Sequence, residues 1–439
     1  MKAFLKAGAA SVDITPQKAY FLFGYPFVER MSEGVNDPLL SSALYLTDGE
    51  TGTILISNDV IYVSKASVAR VRNEVSKQTG IPNSNILIAA THTHSGPVTV
   101  DCLSSAHDPV VPKADPKYVE FIENKMIEIA CEAVCRAVPA KIAQFTADGT
   151  GIGTNRHNPA GPSDLNIPVL VVKSLSDKPL ACFLVCNMHP TVLHEDSRLY
   201  SADFPGLARE ILQKQRLGLD CTVLYFTGAA GNQSPRHVTI SNTFEEARRI
   251  GGIVADAVGK KLEEETEYRQ DLNIVCVSTV VNLPAKCFPS AEWAEQNRRR
   301  ALDKFTVLRD TSSNKQELRT AEVDWFGAEE LAFFSQQAAE GVLETIYPTC
   351  LPAEIQLVKI GNRSFVAWPG EIFVEYALAL KKKSENTFLI TLANGELQGY
   401  IATEEAVKNN YYEASNSLFD YSSGDIMLGA TLELVEKSK

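Results

Sequence analysis

Long hydrophobic runs are missing from this chain. Nowhere in its 439 residues do 18 apolar residues follow one another, so no membrane-spanning helix is expected. The N-terminal stretch MKAFLKAGAASVDITP is charged too early for a secretory signal. Paired cysteine motifs are absent too. Nine cysteines are scattered without a Cys-x-x-Cys, several in apolar runs such as ACFLVC, which suits reduced core thiols and a cytoplasmic setting better than a disulfide framework. Positive charge is in deficit: 42 Lys and Arg against 54 Asp and Glu give a formal net charge of -12, which argues against a nucleic-acid partner. The one basic run, Lys381-Lys382-Lys383, is followed by Ser384-Glu385 and reads as a solvated helix end. The glycine-rich stretch TGAAGN (227–232) has neither the lysine nor the spacing of a phosphate loop.

What remains is an ordinary globular composition, 45% hydrophobic and 22% charged, on a chain long enough to bury a full core. Apolar strand-like runs alternate with helical patterns. Strands are expected at Thr53–Ser57, Asn85–Ala90, Ile142–Phe145, Ile167–Val172, Ala181–Val185 and Thr222–Phe226, and later at Glu354–Lys359, Arg363–Trp368 and Thr387–Thr391. Helices are expected at Ser64–Lys77, Lys117–Val138, Phe204–Gln213 and Phe244–Glu265, the last with Gly251-Gly252 as a weak point. Residues 284–348 are charge-rich, with helical patterns at Ala291–Arg300 and Glu329–Thr345, and read as a helical insertion or subdomain within a single domain of 1–439. The fold class is α/β, with mixed β-sheets flanked by helices; strand order is not legible.

Histidine is scarce, seven residues in all, and two of them sit in ATHTHSGP (90–97). His92 and His94 are spaced i,i+2, so on a strand both would point to one face. A metal site, metal-free catalysis and a structural role all fit them. A second strand exit, NMHPTVLH (187–194), carries His189 and His194. Histidine at two strand exits strengthens the metal reading, and a hydrolytic zinc site then requires a further ligand, expected to be a carboxylate. Glu371, after the turn in WPGE, is one candidate; the alternative is a glutamate favoured by a helix N-terminus. GTNRHNP (153–159) offers Arg156, able to clamp a carboxylate or an oxyanion, or else a surface loop. Tyr400, Tyr411 and Tyr412 in the C-terminal stretch could donate hydrogen bonds or meet a metal, or simply pack.

Taken in order, AGAASVDITP, THTHSGP, GTNRHNP, NMHPTVLH, TGAAGNQSPR, WPGE and GYIATEEAVKNNYYEAS resemble the catalytic domain of the neutral/alkaline non-lysosomal ceramidase family. The resemblance implies a catalytic zinc ion held by His92, His189, Glu371 and Tyr400. It places His94 beside the metal as a proton shuttle, with Arg156 and Tyr412 lining the site near the scissile amide. The implied reaction is hydrolysis of an N-acyl amide, ceramide to sphingosine and fatty acid in the family prototype.

The match has departures. The family's immunoglobulin-like C-terminal domain and its secretion signal are not expected here, and Ala406 stands where the family commonly has tyrosine. A smaller or more polar amide than ceramide is therefore also compatible, as are a metal-dependent esterase and a non-catalytic lipid- or glycan-binding relative. The expected partner is a small-molecule or lipid amide, with peripheral membrane contact compatible and no nucleic acid.

Overall fold

The apolar runs are continuous, not alternating, because the strands are buried on both faces. A computed structural model describes residues 5–264 and 267–439, without the side chains at 315 and 316. Its larger sheet contains β1 (Lys6–Asp13), β2 (Leu40–Thr47), β3 (Gly52–Asn58), β4 (Ile86–Ala90), β5 (Val138–Asp148), β6 (Asn166–Ser174), β7 (Pro179–Cys186) and β8 (Thr222–Thr227). Their spatial order is β8-β7-β6-β5-β1-β2-β3-β4, antiparallel in the middle and parallel at both ends, where β8 pairs with β7 and β4 with β3. A smaller sheet has the order β9 (Ile274–Val281), β10 (Ala353–Ile360), β11 (Arg363–Ala367), β12 (Thr387–Ile390).

The two sheets stack face to face. Leu87 and Ala89 of β4, Phe183 of β7 and Phe226 of β8 meet Val358, Ile360, Phe365 and Ile390 of the smaller sheet. The intervening residues point the other way. Ile86, Ile88 and Ala90 pack under the helices α1 (Lys65–Thr79) and α2 (Pro116–Cys135). Cys182, Leu184 and Cys186 pack under α3 (Asp203–Leu212) and α4 (Phe244–Glu263). The outer face of the smaller sheet is covered by α8 (Val374–Lys383) and α11 (Ser423–Lys437), around Trp368, whose Nε1 donates to Thr431 Oγ1. The expected mixed sheets flanked by helices are thus present, in four layers. All nine cysteines are free, and five are buried.

Several boundaries differ from the sequence pattern. β1, β2 and β9 were not marked by it. Val138 opens β5 and does not close α2. Gly251-Gly252 does not interrupt α4, since Gly251 sits against the backbone of Phe204 and Leu207 where a side chain would collide; the expected helix end at Glu265 lies outside the described residues. In the charge-rich region α5 (Ala291–Thr311), α6 (Lys315–Ala339) and α7 (Leu343–Cys350) form. The expected helix Glu329–Thr345 is broken after Ala339, where Gly341 adopts φ +73°. Two short helices, α9 (Glu404–Lys408) and α10 (Tyr412–Ser415), shape the C-terminal stretch, and α10 packs on α6.

One buried ion pair links the helical layer to the loop after β3, which in turn bonds the loop after β4 through Thr91. Asp59 is fully buried and Arg209 of α3 is 4% exposed. Asp59 also accepts from Thr91 Oγ1 at 3.0 Å and from the Leu40 N–H at 2.8 Å. Removing one partner of such a pair strands the other charge in a medium that cannot solvate it. An Arg209→Met variant is therefore expected to lose about 3–5 kcal/mol of stability, read from its denaturant midpoint; a loss under 1 kcal/mol would show that Asp59 needs no counter-charge.

Candidate metal centre

β4 ends at Ala90, so His92 and His94 lie in a loop and not on a strand face. Strand alternation does not bring them together. The loop itself does: Thr91 N donates to Asn58 O, His92 N to Val60 O, and Thr93 Oγ1 to Ser201 O. His92 is held at φ +68°, an uncommon conformation for a non-glycine residue and one that concentrates at functional sites. The fully buried Arg30 donates to His94 O and to Ser197 O, tying this loop to the one after β7. His189 follows β7, and its Nδ1 faces Ala230 O at 3.3 Å. This accounts for TGAAGN: a side chain at Gly231 would come within 2.8 Å of Ile372 O, so only glycine lets the loop lie between His189 and Glu371.

Glu371 does not start a helix. Gly370 turns the chain at φ +85°, and Glu371-Ile372 form a short parallel ladder with Tyr400-Ile401, in which Glu371 is the register partner of Tyr400. Two residues 29 positions apart in sequence thereby stand side by side.

The three imidazoles converge. The ring centroids of His92 and His189 are 4.6 Å apart, those of His92 and His94 4.9 Å, and their nitrogens form a group that could hold a metal ion. His92 Nδ1 faces Ile61 O at 3.0 Å, which leaves Nε2 pointing inward, 3.2 Å from Glu371 Oε2. Those two atoms are buried, yet neither has a hydrogen-bond partner. At 3.2 Å without a hydrogen bond between them, both atoms are available to a shared cation. Glu371 Oε2 also lies 3.8 Å from His189 Nε2. The other oxygen, Oε1, accepts from Tyr62. Burial would raise the Glu371 carboxyl, but His92 beside it and donors Tyr62 and Tyr400 outweigh that and hold it below its ordinary value. Burial, aided by the neighbouring His92, pushes His94 and His189 well below the usual imidazole value, which favours the neutral form that binds metals. His94 Nε2 sits 3.2 Å from His189 Nε2, while Nδ1 has no partner. The donor set of neutral imidazoles, carboxylate and phenol suits zinc.

No family model matches the sequence. In structure the chain is similar to neutral ceramidase from Pseudomonas aeruginosa, with a TM-score of 0.76 at 18% identity over 100% of this chain and 75% of that one. It is also similar to a ceramidase complexed with C2, with a TM-score of 0.72 at 16% identity over 99% of this chain and 76% of that one. The chain has the ceramidase fold. Among its described residues no immunoglobulin-like domain is present.

Two small chambers of this ceramidase fold open on the histidines. One, about 80 Å³, is bounded by Ile61, Tyr62, His92, Glu371 and Glu330. The other, about 170 Å³, is bounded by His189, Arg156, His157, Arg236, Arg319 and Glu413. His94, Tyr400 and Tyr412 line both. All seven residues proposed from sequence therefore meet in one place. The GTNRHNP segment is not a surface loop: Arg156 pairs with the fully buried Glu413 and lies over the Tyr400 ring, 5.5 Å from its centroid. Tyr412 donates to Glu330 Oε1 at 3.3 Å and accepts from Asn416 Nδ2 at 3.0 Å. Sequence reading passed over Tyr62, Glu330 and Glu413. Glu413 follows Tyr412 directly, but a glutamate there has no pattern of its own; Tyr62 lies in an ordinary apolar stretch.

Glu413 is a test of this packing. Burial would raise its carboxyl, but Arg156 and His157 overcome that and hold it at about 2. A depressed carboxyl stabilises the fold above its unfolded value near 4.5, and that stability is lost as pH falls toward 2. Glu413→Gln is expected to cost on the order of 3 kcal/mol at pH 7, with the gap from wild type narrowing as pH falls below about 4.5. Unfolding curves over a pH series read this; a gap independent of pH would contradict it.

Proposed function

We propose that this protein is a zinc-dependent hydrolase that cleaves an N-acyl amide bond. The observation that carries the reading is the buried, mutually misaligned pair of His92 Nε2 and Glu371 Oε2, with His189 and Tyr400 beside it. His92, His189, Glu371 and Tyr400 would hold the ion. Zinc in such a setting is a Lewis acid that makes water acidic enough to attack near neutral pH and polarises an amide carbonyl. His94, whose Nε2 lies 3.2 Å from His189 Nε2, is placed beside the ion and not on it, as the sequence resemblance implies.

The remaining groups do the proton and charge work. His94, neutral and open to both chambers, takes a proton at a ring nitrogen and delivers it to the departing amine. Arg156, locked by Glu413, and the Tyr412 hydroxyl face the same cavity and donate to the oxygen that becomes negative during attack. Tyr62 orients Glu371 from its far oxygen, the role a partner behind a metal ligand plays elsewhere.

Ceramide is the substrate of the family that the sequence resembles. The cavity supports a smaller amide. The two chambers together fall below the roughly 300 Å³ at which sites for drug-sized ligands begin, and the larger sets guanidinium, carboxylate and imidazole groups beside apolar walls of Tyr25, Pro26, Val323 and Phe326.

The purified protein is expected to bind one zinc ion per chain by metal analysis, to lose turnover on chelation and to regain it on zinc addition. His92→Ala should abolish both binding and turnover. A chain that neither carries nor takes up zinc sinks the reading. A zinc protein that cleaves ceramide but no short acyl amide overturns only the substrate size. Tyr62→Phe is expected to weaken zinc affinity about 10–100-fold in a chelator competition; unchanged affinity would remove Tyr62 from the site.

A further inference from the structure

Of the guanidinium groups at the chamber beside His189, one has no carboxylate paired with it among the described residues. Arg156, Arg236 and Arg319 line it. Arg156 is neutralised by Glu413, and Arg319 by Glu195 at 3.1 Å and Glu322 at 2.6 Å. The Arg236 side chain has no hydrogen-bond or ion-pair partner among the described residues, and it is exposed toward the cavity. Its backbone is firmly placed nonetheless. Arg236 N donates to Ser234 Oγ at 3.1 Å in a short turn over Pro235–His237, and His237 Nε2 lies 3.2 Å from Arg156 O. Partial desolvation beside the cavity and the nearby charges of Arg156 and Arg319 lower its pKa to about 10, which leaves it cationic at neutral pH. Packing does not require it there, because its side chain is not buried in a core.

We infer that Arg236 is a specificity-determining residue that pairs with a carboxylate on the substrate. The substrate class is a small amide bearing one carboxylate, of which N-acyl amino acids are the simplest members. The inference rests on the amide-hydrolase reading above and names its substrate class. A guanidinium matches a carboxylate with two parallel hydrogen bonds. One unpaired guanidinium offers one such fork, which the single charge of a carboxylate matches; a phosphate monoester brings about -1.5 to -2. Placed in the same chamber as His189, His94 and Arg156, a carboxylate on Arg236 would leave the neighbouring amide of a short substrate facing the histidines.

The test uses the zinc-loaded full chain and short probes. Binding of N-acetylglycine, N-acetylglycinamide, N-methylsuccinamic acid and N-acetyl-O-phosphoethanolamine is measured by calorimetric titration, and their hydrolysis by amine release. Wild type is expected to bind a carboxylate-bearing probe about tenfold or more tighter than the carboxamide. Arg236→Gln should collapse that ratio toward one, and Arg236→Lys should restore part of it. Equal binding of carboxylate and carboxamide by wild type, or a ratio unchanged in Arg236→Gln, overturns the inference. Tighter binding of the phosphate probe overturns the carboxylate assignment. Arg236-dependent carboxylate binding without hydrolysis of any probe supports the anion site and counts instead against the hydrolase reading.

Discussion

A carboxylate buried as deeply as Glu371 cannot stand without compensation, and the centre of the molecule is arranged around that requirement. Tyr62 serves one oxygen, while the other lies 3.2 Å from His92 and 3.8 Å from His189, where the proposed cation would sit. To supply these partners, the fold brings together loops that leave three different strands. The loop after β4 contributes His92, the loop after β7 His189, and the turn after β11 Glu371. The pairs that secure those loops, Asp59 with Arg209 and Arg30 with two backbone carbonyls, are themselves buried charges satisfied by polar groups. Polar satisfaction is thus carried outward from Glu371 through successive layers until it reaches the helices.

Stacking the two sheets makes this convergence feasible. With both faces of the large sheet covered, the loops that carry His92 and His189 leave it at strand ends. The smaller sheet supplies Glu371 from across the sandwich, so the centre lies where the two sheets share an end. Above it, α6 and α10 close the cavity with Arg319, Phe326 and Glu330 on one element and Tyr412 and Glu413 on the other. The helical region between residues 284 and 348 therefore bears directly on what can enter. It lends the chamber charge through Arg319 and an apolar wall through Phe326, and it limits the chamber's volume.

How much of this could be read from the chain alone varies residue by residue. The cores of the apolar strands were legible, because continuous runs such as NILIAA and ACFLVC reflect burial on both faces whatever the neighbours are. Three strands were not: β1 and β2, inside the larger sheet, are rich in small and polar residues, and β9, at the edge of the smaller one, has its apolar run interrupted by Ser278-Thr279. His92, His189 and Glu371 stood out because scarce or polar residues at strand exits are locally unusual. Tyr62, Glu330 and Glu413 did not, since a tyrosine or glutamate in an apolar or helical stretch carries no local mark of what lies opposite.

By itself the sequence determined the local chemistry: which segments prefer strand or helix, where the chain turns, and which side chains can bind a metal or move a proton. Those depend on neighbours a few residues away. Only the tertiary structure decided that His92 and Glu371 meet at 3.2 Å, that Glu371 and Tyr400 are ladder partners, that Arg156 is buried against Glu413, and that Arg236 has no ion-pair partner among the described residues. Each of these is a statement about distance between residues far apart in sequence, and such distances are set by how the sheets stack, not by any local preference.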